Sequence, residues 1–241
     1  MRKIFISAGH SNKVGRDRGA AGNGYVEGDL AVSFRNKVVA NLKKLGANVT
    51  IDGDNTILQE SLNFFRKYVN DDAIVLDIHF NAAGPTATGT ETLIPGNFSV
   101  REKELAQALS RTVSNLLDIP LRGDKGVRTE LESHHKKLGW MALKGENVLM
   151  EICFISNPSD MKKYIGMEDK LAEQIAETLY NCSVGIKSEA TNQGFQSLVY
   201  TVRSGDTLGR IAQIYKTDVE TLMEKNNLKS DLIQIGQVIK I

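Results

Sequence analysis

Short runs of β-branched and apolar residues alternate along this chain with longer stretches whose apolar residues recur every three or four positions. The runs are KIFIS from Lys3, VTI from Val49, AIVLDI from Ala73, TETLI from Thr90 and VLMEICF from Val148. Most are continuously apolar rather than alternating, the pattern of strands covered on both faces. The periodic stretches carry Leu30, Phe34, Val38, Leu42 and Leu45, stopping at Gly46; then Leu58, Leu62, Phe65 and Val69; then Leu105, Leu109, Val113 and Leu116; then Leu171, Ile175 and Leu179. Such spacing lays an apolar stripe along one face of a helix. Strand and helix in turn predict an α/β domain with a mainly parallel sheet flanked by helices.

After Cys182 the periodicity stops. SVGIKSEATNQGFQS is rich in Ser, Gly, Asn and Gln, the composition of a flexible tether. The remaining C-terminal stretch reads as strand, helix, helix, strand, a small β-α-α-β module. The expected division is residues 1–182 for the main domain, 183–197 for the linker and 198–241 for the module.

Composition narrows the function. Hydrophobic residues at 41% and charged residues at 24% exclude a disordered chain. Thirty Lys+Arg against 29 Asp+Glu leave a net charge of +1, too little to grip nucleic acid or an anionic membrane. No apolar run approaches the roughly 18 residues of a membrane span, so membrane insertion is not expected. The start MRKIFISAGH is basic and then apolar, but its apolar stretch is Ile4 to Ile6, short of the roughly 7 to 15 residues of a signal peptide core. The chain is therefore expected to accumulate in the cytoplasm. Cys153 and Cys182 have no CxxC spacing and encode neither a zinc knuckle nor a redox dithiol.

In open α/β sheets, ligands bind outside the carboxyl ends of the strands. His10 ends the first run after Gly9, and His79 ends AIVLDI. Glu151 interrupts an apolar run, where a charge needs a partner or a metal. Glu27 stands just before the first helix. Two histidines and two glutamates at one edge suit zinc, with three ligands and a spare carboxylate as general base. Taken singly, each histidine reads equally well as a loop or strand-end residue, and Glu27 as solvated surface.

Together these segments resemble the zinc-dependent N-acetylmuramoyl-L-alanine amidases of the Amidase_3 type. That pattern has a strand ending in Gly-His, an Asp-Pro-Gly-Ala loop leading to a Glu, a Ser-Ile-His-x-Asn segment, and a Glu within Leu-Val-Glu-x-Gly-Phe-x-Ser-Asn. Here they stand as SAGH from Ser7, DRGAAGNGYVEGDL from Asp17, DIHFNA from Asp77 and LMEICFISN from Leu149. The resemblance implies that His10, Glu27 and His79 hold Zn2+ and that Glu151 is the catalytic carboxylate in hydrolysis of the bond between N-acetylmuramic acid and L-alanine. Ser7 and Ala8 replace Asp-Pro, Arg18 replaces Pro, Asp77 replaces Ser and Cys153 replaces Gly. Two residues beyond Glu151 on a strand, Cys153 shares its face if the strand is regular, though a small buried cysteine is the simpler reading. His134 and His135, in a charged loop, read as substrate-binding or as solvated. Asn81 and Asn157 read as loop braces. Between Leu93 and Leu105 there is no room for the inhibitory helix of some relatives, which implies constitutive activity.

The last stretch resembles a LysM module, through Tyr200-Thr-Val202, Gly205-Asp206-Thr207-Leu208, Ile211-Ala212, Tyr215, Leu222, Asn226 or Asn227, and Ile233 before Gly236-Gln237. The resemblance implies that Gly205, Asp206, Thr207, Leu208, Asn227 and Ile233 bind N-acetylglucosamine-containing glycan, and that peptidoglycan is the partner. The expected setting is a phage lysis enzyme, the alternatives being a bacterial autolysin or a wall-binding protein with an inactive amidase-like domain.

Overall fold

The apolar runs become strands of a six-stranded sheet. The structure is a computed structural model that describes residues 1–133, 136–185, 199–202, 205–214, 218–226 and 228–240. It divides into two units, Met1–Glu189 and Ala190–Ile241. In the first, the elements in chain order are β1 (Ile4–Ser7), β2 (Ala21–Gly22), β3 (Tyr25–Val26), α1 (Glu27–Lys44), β4 (Val49–Ile51), α2 (Leu58–Tyr68), β5 (Ile74–Asn81), β6 (Glu91–Ile94), α3 (Val100–Leu117), β7 (Val127–Thr129), β8 (Glu146–Phe154) and α4 (Pro158–Ser183).

The strand order is β4-β1-β5-β8-β6-β7. The pairs β1–β4, β1–β5, β5–β8 and β6–β7 are parallel, and β6 runs antiparallel to β8. This is the mainly parallel, helix-flanked sheet expected from the pattern. Alternate residues of each strand meet different layers. Ile4, Ile6, Ile74, Leu76 and Ile78 pack with Phe34 and Val38 of α1, Leu105 and Leu109 of α3, and Leu171 and Ile175 of α4. Phe5 and Val75, one position out of phase, pack instead with Leu62 and Phe65 of α2 and with Trp140. Phe65 meets Phe5 edge-on at 5.8 Å between ring centroids and Trp140 at 5.2 Å. Truncating a ring so enclosed costs about 3–5 kcal/mol.

Local signals set the helix starts. Ser99 Oγ accepts from Glu102 N at 3.1 Å while Glu102 Oε2 accepts from Ser99 N at 2.7 Å, a reciprocal cap that opens α3. Residues 95–99 alone join β6 to α3, so no extra helix intervenes. Asn157 caps α4 by accepting from Ser159 N and Asp160 N, and its Nδ2 donates to Ala87 O, the bracing role expected of it. The hairpin β2–β3 and the strand β7 carry no apolar pattern and were not legible in the sequence.

A buried ion pair ties the layers together. Arg35 on α1 is fully buried; its NH1 donates to Asp52 Oδ1 at 3.0 Å and its NH2 pairs with Asp54. Asp52 in turn accepts from Ser7 Oγ at 2.9 Å and from Ser61 Oγ at 2.5 Å. The ends of β1 and β4 and the start of α2 are thus joined to α1.

The second unit comprises β9 (Val199–Thr201), α5 (Leu208–Ile214), α6 (Val219–Lys225) and β10 (Val238–Lys240), with β9 and β10 antiparallel. Val202, Leu208, Ile211, Ala212, Leu222 and Ile239 form its core. Asp218 accepts from Thr221 N and caps α6. In the region expected to be a linker, residues 186–197 lie outside the described residues.

Candidate metal centre

On the sheet face away from α1, α3 and α4, the strands turn from apolar to polar toward one edge. Phe5 gives way to Ser7 and Gly9, Val75 to Asp77 and His79, and Leu149 to Glu151. In register, His79 stands opposite Glu151, and Glu151 opposite Glu91 of β6. His10 joins them from the turn after β1, where Gly9 takes φ +64°. Glu27 is the first residue of α1, brought to this edge by the β2–β3 hairpin. It is 5% exposed, so the solvated-surface reading of Glu27 fails.

The three proposed ligands meet. Glu27 Oε1 lies 3.0 Å from His79 Nδ1 and 3.5 Å from His10 Nε2, and accepts from Phe80 N at 3.1 Å. Glu27 Oε2 accepts from Ala20 N at 2.8 Å. One ligand atom from each of His10, Glu27 and His79 falls within 4.8 Å of the others. The two imidazole rings are 4.9 Å apart, nearly perpendicular. Gly19 leaves room for this packing, since a Cβ there would stand 2.4 Å from Glu27 Oε2 and 2.7 Å from a His10 ring carbon.

Burial by itself would raise the Glu27 carboxyl, but the hydrogen bond with His79 and the neighbouring imidazoles hold it at about 2. Burial likewise works against charge on His79, yet the Asp77 and Glu27 carboxylates hold it well above the ordinary imidazole range. An ionised carboxylate between two imidazole nitrogens, paired with no lysine or arginine among the described residues, is a donor set suited to holding a metal ion.

Glu151 stands apart from the three. Its Oε2 is sealed from water and has no partner among the described residues. Desolvation pushes its carboxyl up to about 8; the His79 charge opposes the rise, and Glu27, Glu91 and Asp77 add to it. Such a group holds or releases a proton near neutral pH, the property wanted of a general acid and base.

Cys153 does not line the site. Between His79 and Asn81 the register slips, so that Asn81 faces Phe154 and β8 carries an extra residue. The regular two-residue alternation from Glu151 is broken, and Cys153 is fully buried in the main core, its thiol pushed well up by desolvation. His134 and His135 lie outside the described residues.

The sequence showed no contact with the cluster for several residues that the structure places beside it. The outer nitrogen of each histidine meets an aspartate: His10 Nδ1 lies 3.3 Å from Asp17 Oδ1, and His79 Nε2 lies 3.1 Å from Asp77 Oδ2. Glu91 is 3% exposed and accepts from Asn81 Nδ2 at 2.7 Å, while Arg122 and Arg128 approach its Oε2 at 3.3 and 3.4 Å. Asn81 therefore braces a side chain as well as its own loop. A charge inside TETLI was the available signal for Glu91, of the same kind that marked Glu151.

The family model Amidase_3, described as N-acetylmuramoyl-L-alanine amidase, matches residues 4–181. The chain belongs to the Amidase_3 family. Its first unit is thus an N-acetylmuramoyl-L-alanine amidase catalytic domain, an enzyme that hydrolyses an amide bond of peptidoglycan. Among similar proteins, the uncharacterized protein YqiI of Bacillus subtilis is 30% identical over 182 residues, which span 75% of this chain and 82% of YqiI. "Probable autolysin PH" of Staphylococcus aureus is 24% identical over 221 residues, 80% of this chain and 42% of that one. The crystal structure of N-acetylmuramoyl-L-alanine amidase from Clostridium difficile matches with a TM-score of 0.57 at 25% identity, covering 79% of this chain and 98% of that one.

A LysM domain model matches residues 200–241. In the LysM unit, Gly205 at φ +87° and Thr207 are exposed, and Asp206 Oδ2 accepts from Tyr200 Oη at 2.6 Å. Leu208 is fully buried and Ile233 packs partly against the same core. Asn227 and Tyr215 lie outside the described residues. No helix among the described residues is long and apolar enough to cross a membrane.

Proposed function

We propose that this chain is a zinc-dependent N-acetylmuramoyl-L-alanine amidase of the bacterial autolysin kind, its LysM module holding it on the glycan strands. The observation that carries the reading is the convergence of His10 Nε2 and His79 Nδ1 on Glu27 Oε1, with Glu151 opposite His79 on the next strand. His10, Glu27 and His79 would hold the zinc. When bound, the ion polarises the scissile carbonyl and makes water a stronger nucleophile.

Glu151 takes a proton from the attacking water and passes it to the leaving nitrogen of L-alanine. Glu91, paired with Arg122 and Arg128, flanks Glu151 on the far side of the row. In the LysM module, Gly205, Asp206, Thr207 and Asn227 would bind the glycan; Leu208 lies in the core and Ile233 packs partly against it. Linking the two activities raises the local concentration of cleavable bonds without a new contact at the site.

The autolysin reading takes the place of the phage lysis enzyme expected from the sequence. Its support is that YqiI and autolysin PH are bacterial proteins similar over most of this chain. The test is turbidity loss of purified sacculi with metal content measured on the same sample. Wild type with one zinc per chain should clear the suspension, Glu151→Ala should not, and mass spectrometry of the products should show a new amino-terminal L-alanine. A zinc-loaded wild type no faster than Glu151→Ala overturns the enzyme reading, and a different new amino terminus overturns the bond assigned.

A further inference from the structure

Asp77 is the least explained charge in the catalytic unit. It is 2% exposed, and its one ion pair among the described residues is with His79. Its Oδ2 lies 3.1 Å from His79 Nε2, while its Oδ1 is sealed from water with no partner among the described residues. A carboxylate so placed costs several kcal/mol unless it serves a neighbour. Two residues before His79 on the same strand, it shares that residue's face.

We propose that Asp77 is a positioning residue for the metal centre: it accepts the hydrogen bond from His79 Nε2–H, fixes that tautomer, and so keeps the Nδ1 lone pair turned to Glu27 for a divalent cation. The inference rests on the zinc reading proposed for this site. A neutral imidazole has one N–H, and whichever nitrogen is anchored to an acceptor leaves the other for the metal. Here the Nε2 edge meets Asp77, and Gly9 leaves the ring the room to sit there, since a Cβ on Gly9 would stand 2.5 Å from Nε2. Nδ1 is the nitrogen that faces Glu27 Oε1.

The two histidines are not held alike. Asp17 approaches His10 Nδ1 at 3.3 Å, but its side chain is 67% exposed, and water screens such a contact. The buried Asp77 contact is not screened in this way. Register adds a second observation: Ser7 and Asp77 are direct partners on β1 and β5. Both are departures from the amidase pattern, which has Asp at the first position and Ser at the second.

The test uses the full-length protein, with zinc affinity from competition with a chromophoric chelator and the tautomer of His79 from imidazole 15N shifts in the zinc-loaded form. Asp77→Ser should weaken zinc binding about 10- to 100-fold. Asp77→Asn keeps the shape and an acceptor but drops the charge, so it should fall between the two. Asp17→Asn should cost less than Asp77→Ser. Wild-type His79 should show a protonated Nε2 with zinc on Nδ1. Zinc on Nε2, or Asp77 variants within about twofold of wild type, overturns the proposal. Where Asp77→Ser does not fold, the isosteric Asp77→Asn decides by the same criterion. A wild type that binds no zinc overturns the metal reading and this one with it, whereas tight wild-type binding with indifferent variants overturns this one alone.

Discussion

The place a Cβ would take on Gly9 lies 2.5 Å from His79 Nε2 and within 2.8 Å of two more ring atoms. The last turn of β1 is therefore shaped around a side chain some seventy residues later in the chain. Gly9→Ala should displace the His79 ring and weaken zinc binding by more than about tenfold. Gly15→Ala is the control: Gly15 also has positive φ, at +85°, but nothing stands within 4 Å of its missing Cβ. Both carry backbone strain, and only the first meets the His79 ring. Equal zinc affinities for the two variants would refute the steric argument.

Glu151→Gln keeps the size of the side chain and removes its proton chemistry. Turnover of defined muropeptides should fall about 10²- to 10⁴-fold, the usual worth of a general acid and base. Zinc content should stay at one per chain, because Glu151 is outside the group formed by His10, Glu27 and His79. A variant that loses zinc in proportion to its activity would instead make Glu151 a ligand.

Arg35→Ala should lower unfolding free energy by about 3–5 kcal/mol in urea titrations, the usual result of leaving one partner of a buried pair uncompensated. Asp52 would keep its bonds from Ser7 and Ser61 but lose its balancing charge. An effect below about 1 kcal/mol would mean that water reaches Asp52.

With 30 basic and 29 acidic residues, the chain carries almost no net positive charge on which wall binding can rest. Retention of the Glu151→Gln protein on sacculi should therefore change little as salt is raised well past the physiological range, where the screening length drops below about 8 Å. A steep loss of retained protein would shift the attachment from sugar recognition to charge.

Much of this was readable in the order of residues. Continuous apolar runs such as AIVLDI mark strands covered on both faces, and the stripe Leu30, Phe34, Val38 and Leu42 marks the helix that covers one of them. These are local patterns with a fixed period, so they survive without knowledge of neighbours. Glu151 was legible for a related reason: a charge in an apolar run stands out against its own strand. Glu91 sends the same signal inside TETLI, but that run is short and polar at its start, so the charge contrasts less with its neighbours.

Other features have no local period. The bulge that carries Cys153 away from the site exists because β8 has one more residue than β5 between His79 and Asn81, a relation between two strands rather than a property of either. The direction of β6 and the presence of β7 depend on pairing across long separations in the chain.

Asp77 shows the division most clearly. In the sequence it is a departure from a pattern, with no stated consequence. Its neighbour appears only when β5 places it against the Nε2 edge of His79, where Gly9 leaves room for the ring. Residue types and their periodicity determine which segments are strands and which charges are out of place. The partner of each such charge is set by strand register and backbone approach, because hydrogen bonds act over about 3 Å and no spacing along the chain encodes a distance that short.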